Sequence, residues 1–176
     1  MIPPYEFRTE RLLIRKIKEE DAESISSSFD QNQAVTKYLS WKPRTNIEQT
    51  HEFVHRCVEE WGDEIEFTWV ICFPEGRIIG LINLIIYESR ATTGFVLEEK
   101  SWNKGFATEA LQAIVKWAID QPEIFRIWAY CDVENKASAR VLEKVGMKRE
   151  GILYRWRIHP NLGAIPRDCY SYACYK

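Results

Sequence analysis

The sequence is short of several features that would have directed it to well-known classes. Its five cysteines (Cys57, Cys72, Cys131, Cys169 and Cys174) form no C-x-x-C pair and have no histidine at metal-ligand spacing. They are therefore expected as small buried apolar residues in a reducing compartment, with no structural zinc and no metal of any kind at the site. There is no excess of basic charge. The 24 Lys+Arg face 26 Asp+Glu, and the resulting formal charge of −2 argues against direct nucleic-acid binding. No apolar run approaches the ~20 residues of a membrane span. The opening Met1-Ile2-Pro3-Pro4-Tyr5-Glu6 lacks the basic and apolar regions of a secretory signal, so a soluble cytoplasmic protein is expected. Neither an internal repeat nor a Gly/Pro/Ser-rich linker divides the chain, and residues 1–176 are expected to form one domain.

What is present is core-forming material. Seven tryptophans are many for one core in a chain this short, so some are expected to line a cleft or a partner surface. Residues 11–17 read as a first strand, and Ala22, Ile25 and Phe29 then recur at helical spacing. Asn46 with Gln49 forms a capping-box arrangement ahead of a helix whose apolar face is Thr50, Val54, Cys57, Val58 and Trp61. Residues 67–73 and 77–87 are β-rich runs joined by Pro74-Glu75-Gly76, a hairpin signal, and 91–97 adds a third strand. Residues 104–120 follow a 3.6-residue period, 124–133 is another strand, and Ala137, Val141, Leu142 and Val145 mark a short helix stopped at Gly146. Residues 147–158 and 167–175 close the chain as a hairpin. The order is that of an α/β domain with a mixed sheet of about seven strands and about four helices.

Two junctions carry chemistry. Ser101-Trp102-Asn103-Lys104-Gly105-Phe106-Ala107-Thr108 passes from a strand into a helix. A glycine there allows close backbone approach, and the first-turn N–H groups and helix dipole favour an anion. Asn103 tolerates left-handed angles, Ala107 leaves room and Lys104 adds charge. The bland alternative is a glycine-containing loop before an amphipathic helix. The loop is neither the G-x-x-x-x-G-K-[ST] nor the G-x-G-x-x-G pattern. The second junction, Asp132-Val133-Glu134-Asn135-Lys136-Ala137-Ser138, opens another helix with Asn135 as its natural N-cap. Ser138 lies one turn in, where its hydroxyl can donate to a sulfur or an oxyanion.

Together the segments Trp102 to Ala110 and Asn135-Lys136-Ala137-Ser138 … Leu142-Glu143-Lys144-Val145-Gly146-Met147 resemble the GCN5-related N-acetyltransferase (GNAT) superfamily. Thr9-Glu10-Arg11-Leu12-Leu13-Ile14-Arg15 at the start, with Glu150-Gly151 and Arg167-Asp168 near the end, is similar to the RimJ/RimL-like branch of ribosomal-protein N-terminal acetyltransferases. The resemblance implies a mostly antiparallel sheet splayed between its fourth and fifth strands (92–97 and 124–133), with acetyl-CoA in the gap. It implies that Phe95, Val96 and Leu97 pair with the pantetheine arm and that Asn103, Lys104, Gly105, Phe106, Ala107 and Thr108 hold the pyrophosphate. Asn135 would hydrogen-bond the pantetheine. Leu142 stands where many relatives carry a proton-donating tyrosine, so the resemblance passes that role to Ser138.

Acetyl-CoA-dependent transfer to a primary amine, most simply a ribosomal or other protein N-terminus, is the function this resemblance implies. A small-molecule amine (an antibiotic or a polyamine) and a non-catalytic acyl-CoA sensor are the alternatives, together with an interaction module built on Trp41, Trp61, Trp69 and Trp156. For the general base the sequence offers Glu98 and Glu150 first, with Tyr154, His159 or a water relay beside them. The acceptor cleft is expected to be framed by Tyr38, Trp41, Tyr154 and Trp156, with Arg155 and Arg157 near them. A homodimer is left open.

Overall fold

A computed structural model describes residues 1–64 and 66–176. The β-branched and aromatic runs form a single eight-stranded sheet in the order β1-β2-β3-β4-β5-β6-β8-β7. The strands are β1 (Glu6–Arg8), β2 (Leu13–Lys16), β3 (Glu66–Cys72), β4 (Ile78–Tyr87), β5 (Arg90–Leu97), β6 (Arg126–Asp132), β7 (Lys148–Arg157) and β8 (Arg167–Tyr175). Among the described residues five α-helices accompany them: α1 (Ala22–Ile25), α2 (Gln33–Thr36), α3 (Ile47–Gly62), α4 (Phe106–Asp120) and α5 (Lys136–Lys144). The expected α/β architecture is therefore present, with one strand and one helix more than expected. Both additions are short. The three residues of β1 carry no readable alternation, and α2 is a single turn held by the Asn32 cap, whose Oδ1 accepts from the Ala34 N–H at 2.8 Å. The segment that follows α1, Ser26–Asp30, is a π-helical turn.

Neighbouring strands are antiparallel except β5 and β6, which run parallel and so need the crossover that α4 supplies. The β3–β4 hairpin turns at Gly76, whose φ of +98° an L-residue adopts only with strain. β3 is buried along almost its whole length because both faces are covered; α3 packs on it through Val54, Cys57 and Trp61. Trp61 meets Phe67 and Trp69 edge-on, with ring centroids 5.0 and 5.2 Å away, and its Nε1 donates to the Thr68 carbonyl at 2.7 Å. Trp69 donates likewise to the Pro4 carbonyl at 3.0 Å. Both tryptophans are core residues, which removes two members of the proposed protein-binding face. α4 buries Ala110, Leu111, Ile114 and Ala118, the face its periodicity indicates. Four of the cysteines are buried and all five are free thiols. Among the described residues no helix is long and apolar enough to cross a membrane.

The feature that positions the site is the brevity of the parallel pairing. β5 and β6 are in register only at Arg90↔Arg126, Ala91↔Ile127 and Thr92↔Trp128. Beyond Thr92, β5 continues to pair with β4 as far as Leu97 while β6 pairs with β8 through Asp132. The sheet opens there into a V, between the two strands expected to part.

Candidate active site

A cavity of about 450 Å³ occupies this V. One wall is Thr93 to Val96 of β5 and the other is Ala129 to Asp132 of β6. The N-terminal turn of α5 contributes Asn135 and Ser138, with Leu142 behind them. Asn135 Oδ1 accepts the Ser138 N–H at 3.2 Å, so Asn135 is the helix cap the sequence indicates. Phe95 and Val96 line the cavity, whereas Leu97 is buried and its carbonyl accepts Trp102 Nε1 at 2.9 Å. The Gly94 N–H is already taken by Asn83 Oδ1 at 2.7 Å.

The turn from Asn103 to Thr108 lies at the head of α4 and does not line this cavity. Asn103 and Gly105 both have positive φ, 59° and 85°. The first backbone bond of the helix runs from the Glu109 N–H to the Gly105 carbonyl at 3.0 Å. The N–H groups of Phe106, Ala107 and Thr108 therefore have no acceptor within the helix, the ordinary condition of a first turn and one suited to an anion. The turn is tied to the start of the chain in a way that sequence reasoning missed. The Glu109 carboxylate accepts from Thr9 Oγ1 (2.6 Å), the Arg11 N–H (2.9 Å) and Arg11 Nε (2.8 Å). Arg11 Nη1 donates onward to the Lys104 carbonyl at 3.1 Å, and its guanidinium covers the Phe106 ring at 4.6 Å. Partial burial raises the Glu109 carboxyl, but the Thr9 and Arg11 donors outweigh it and hold the group below its usual range. Thr9 and Arg11 thus do structural work that the resemblance left without a reason.

Two expected bases stand elsewhere. Glu98 is buried outside the cavity, its carboxylate accepting from Arg77 Nη1 and Ser101 Oγ, each at 2.7 Å. Glu150 lies on β7 in a two-bond pair with Arg126, which holds its carboxyl below the usual range. Tyr154 and Trp156 are also absent from the cavity wall; they are 74% and 48% exposed, and Trp156 packs edge-on against Tyr130. The reason is local. The β7–β8 register shifts between Leu153 and Arg157, where Arg155 takes a φ of +51°, so alternation along β7 no longer tells which side chains face the V. The closing hairpin supplies Arg157 and His159 instead.

Of the expected acceptor residues, Tyr38 and Trp41 do line the cavity. They sit on the loop after α2, which Asn161 fastens by donating to the Thr36 and Trp41 carbonyls at 2.7 and 2.8 Å. Arg44 lies between the Trp41 and Phe53 rings, at 4.4 and 4.0 Å, and pairs with the buried Asp30. Two carboxylates also line the wall, Glu66 and Asp132. Glu66 accepts from Asn83 Nδ2. Asp132 accepts from Arg167 Nε at 2.5 Å and the Glu134 N–H at 2.9 Å. Burial pushes Asp132 up; Arg167, the Glu134 N–H and His159 together bring it below its ordinary value. Burial also pushes the Cys131 thiol in the same wall up to about 12.

Comparison with known proteins agrees with this geometry. Residues 11–148 match the model of the acetyltransferase (GNAT) domain. The chain is 30% identical over 172 residues to "Uncharacterized N-acetyltransferase YoaA" of Bacillus subtilis (strain 168), covering 96% of this chain and 95% of that one. It is similar to the crystal structure of a GNAT-family acetyltransferase from Bacillus anthracis, with 32% identity, a TM-score of 0.83 and 97% and 98% of the two chains covered. It also matches the fold of RimL, the ribosomal L7/L12 alpha-N-protein acetyltransferase solved with coenzyme A, at 22% identity and a TM-score of 0.84 over 99% and 98% of the chains. The chain belongs to the GNAT acetyltransferase family.

Proposed function

We propose that this acetyltransferase acts on an α-amino group, with a protein or peptide N-terminus as the acceptor. The observation that carries the reading is the V between β5 and β6, where the Ser138 hydroxyl, the open edge of β5 and the Tyr38–Trp41 loop meet at one cavity. Acetyl-CoA, the co-substrate, supplies an acetyl group activated as a thioester. The N–H groups from Asn103 to Thr108 would hold its pyrophosphate; the left-handed angles at Asn103 and Gly105 and the unpaired first turn of α4 fit that group. Phe95 and Val96 offer backbone groups to the pantetheine arm, joined by the Asn135 side chain. A β5 N–H polarises the acyl oxygen, and Ser138 donates a proton toward the departing sulfur.

The amine end follows from proton chemistry. At pH 7 an α-amino group of pKa near 7.8 is roughly one-seventh neutral, whereas a lysine near 10.4 is neutral at about 0.04%. The difference is about 3–3.5 kcal/mol of advantage before any protein group acts. The name of the RimL neighbour, an alpha-N-protein acetyltransferase, is in keeping with this choice.

The test is acetyl-CoA turnover with a panel of amines: peptides with a free N-terminus, N-blocked lysine peptides, a polyamine and an aminoglycoside. Free-N-terminus peptides are expected to show the highest kcat/KM. A tenfold preference for the polyamine or the aminoglycoside would replace this reading with the small-molecule one. Acetyl-CoA binding without turnover of any amine would leave the sensor.

Direct transfer, with no acetyl-enzyme, is also expected. A thiol held near 12 is about one part in 10⁵ thiolate at pH 7. Cys131→Ala should therefore retain turnover within about threefold, and mass spectrometry of the protein mixed with acetyl-CoA alone should show no added acetyl mass.

A further inference from the structure

The acceptor side of the cavity holds one buried polar side chain with no hydrogen bond of ordinary geometry, although the Leu39 backbone lies close enough to favour its charged form. His159 is 3% exposed and lines the cavity, yet neither Nδ1 nor Nε2 meets a hydrogen-bond partner among the described residues. Buried polar atoms are nearly always paired, so two orphaned nitrogens on one ring require a reason. The ring is held in place without them. Tyr38 packs edge-on at 6.3 Å and 89°, and the His159 carbonyl accepts the Leu162 N–H at 2.8 Å. Asp132 Oδ2 stands 3.6 Å from Nε2, too long for a hydrogen bond and close enough to stabilise a charge formed there. Asp132 is itself fixed by Arg167, which also pairs with Glu134 at 2.8 Å.

We propose that His159 is the general base of the transfer, with Asp132 and Arg167 as the positioning residues behind it. This rests on the acetyltransferase reading above. As the amine nitrogen bonds to the acetyl carbon and the carbon–sulfur bond breaks, the departing sulfur takes one proton, from Ser138 or water. The ammonium loses its first proton to solvent before attack. The surplus proton on the attacking nitrogen then passes to the imidazole and, through solvent, restores the Ser138 hydroxyl or the water that protonated the sulfur. The balance is ammonium plus thioester giving amide, thiol and one released proton. The other candidates in the wall are engaged: Glu66 accepts from Asn83, and Asp132 from Arg167 and the Glu134 N–H. Glu98 and Glu150 are outside the cavity.

The electrostatics are those of a base kept free for use. Burial lowers the His159 imidazole below the ordinary histidine value; Asp132 and the Leu39 backbone oppose this, and Arg167 and Arg157 add to it. The net direction favours the neutral ring. Such a base is too weak to strip a free lysine ammonium, but a nitrogen already bonding to a carbonyl carbon is far more acidic and gives its proton readily. The acceptor it suits is an amine with an appreciable neutral fraction of its own, such as an α-amino group or a small amine of similarly low pKa.

The experiment compares wild type with His159→Gln on a free-N-terminus peptide, together with an NMR titration of the imidazole in wild-type protein without acetyl-CoA. The expected results are a fall in kcat/KM of about 100-fold at pH 7, with acetyl-CoA affinity unchanged within twofold. The NMR titration should show a neutral His159 at pH 7, and the acid limb of the wild-type rate profile should follow it and be absent from the variant. Asp132→Asn should move that limb to lower pH. The unfolded chain takes up a proton near pH 6.5 that the folded ring refuses. Wild type should therefore lose more thermal stability than the variant between pH 7 and 5. Turnover in His159→Gln within threefold of wild type would overturn the assignment alone, as would an imidazolium at pH 7. Wild type that turns over no amine would instead overturn the functional reading and this assignment with it. Should the variant fail to fold, the wild-type titration still decides.

Discussion

Gly105→Glu is expected to abolish the stabilisation of the protein by acetyl-CoA. Ligand at about 100 times its dissociation constant adds about 2.7 kcal/mol, which for a chain of this size is a melting shift of roughly 5–10 °C. Two effects combine in the variant. Gly105 has φ +85°, where an L-residue costs about 1–2 kcal/mol, and an added Cβ would stand 3.3 Å from Arg11 Nη2. The carboxylate also brings a negative charge to the turn whose N–H groups favour an anion and offers Arg11 a second partner in place of Glu109. Gly105→Ala separates the two, since it keeps the strain without the charge. The alanine variant should melt lower than wild type yet still respond to acetyl-CoA. An undiminished acetyl-CoA shift in the glutamate variant would remove this turn from the cofactor site.

Ser138→Ala is expected to lower kcat about 10–100-fold while leaving acetyl-CoA affinity nearly intact. A donor that strengthens its bond only as thiolate charge develops contributes to the transition state and little to binding. Preorganised donors of this kind are worth about 2.7–4 kcal/mol on an oxyanion. Sulfur is a softer acceptor and a fair leaving group, so the lower end applies. The competing role, capping of α5, belongs to the Asn135 side chain. The two variants should therefore divide the effects: Asn135→Ala loses about 1 kcal/mol of stability, and Ser138→Ala loses turnover with its melting temperature held. A Ser138→Ala protein with unchanged kcat and a lowered melting temperature would make the serine structural.

Most of the scaffold was legible because its signals are local. Pro74-Glu75-Gly76 between two β-rich runs could only be a hairpin, and the apolar period of α4 chose the face that packs. The opening between β5 and β6 came from family resemblance, and the three-residue parallel register is its physical form. Tyr38 and Trp41 of the acceptor wall were read from the sequence, and His159 stood among its candidates for the base; the grouping of Asp132 and Arg167 around it was not legible, for the opposite reason. Asp132, His159 and Arg167 come from three separate segments, and no spacing along the chain announces their meeting. The aromatic residues misled where the backbone broke its own alternation. Tyr154 and Trp156 were expected at the cleft because the resemblance places the closing hairpin there; around the positive-φ Arg155 the register shifts, and of that run only Arg157 lines the cavity. Trp61 and Trp69 misled differently: each has a carbonyl for its indole N–H, which makes a large amphipathic ring as acceptable in the core as in a cleft.

The Glu109 carboxylate joins residues 98 and 100 positions apart, and it holds the turn proposed to take the pyrophosphate. Such a contact closes a loop of more than half the chain, so it forms late relative to the local hairpins and helices. During synthesis Thr9 and Arg11 leave the ribosome long before their partner exists, and the β1–β2 connection that carries them must wait without its anchor. Competence to bind acetyl-CoA is thus expected to lag behind the acquisition of secondary structure. In refolding, a stopped-flow signal from acetyl-CoA binding should trail the far-UV signal, and Glu109→Gln should lengthen that interval.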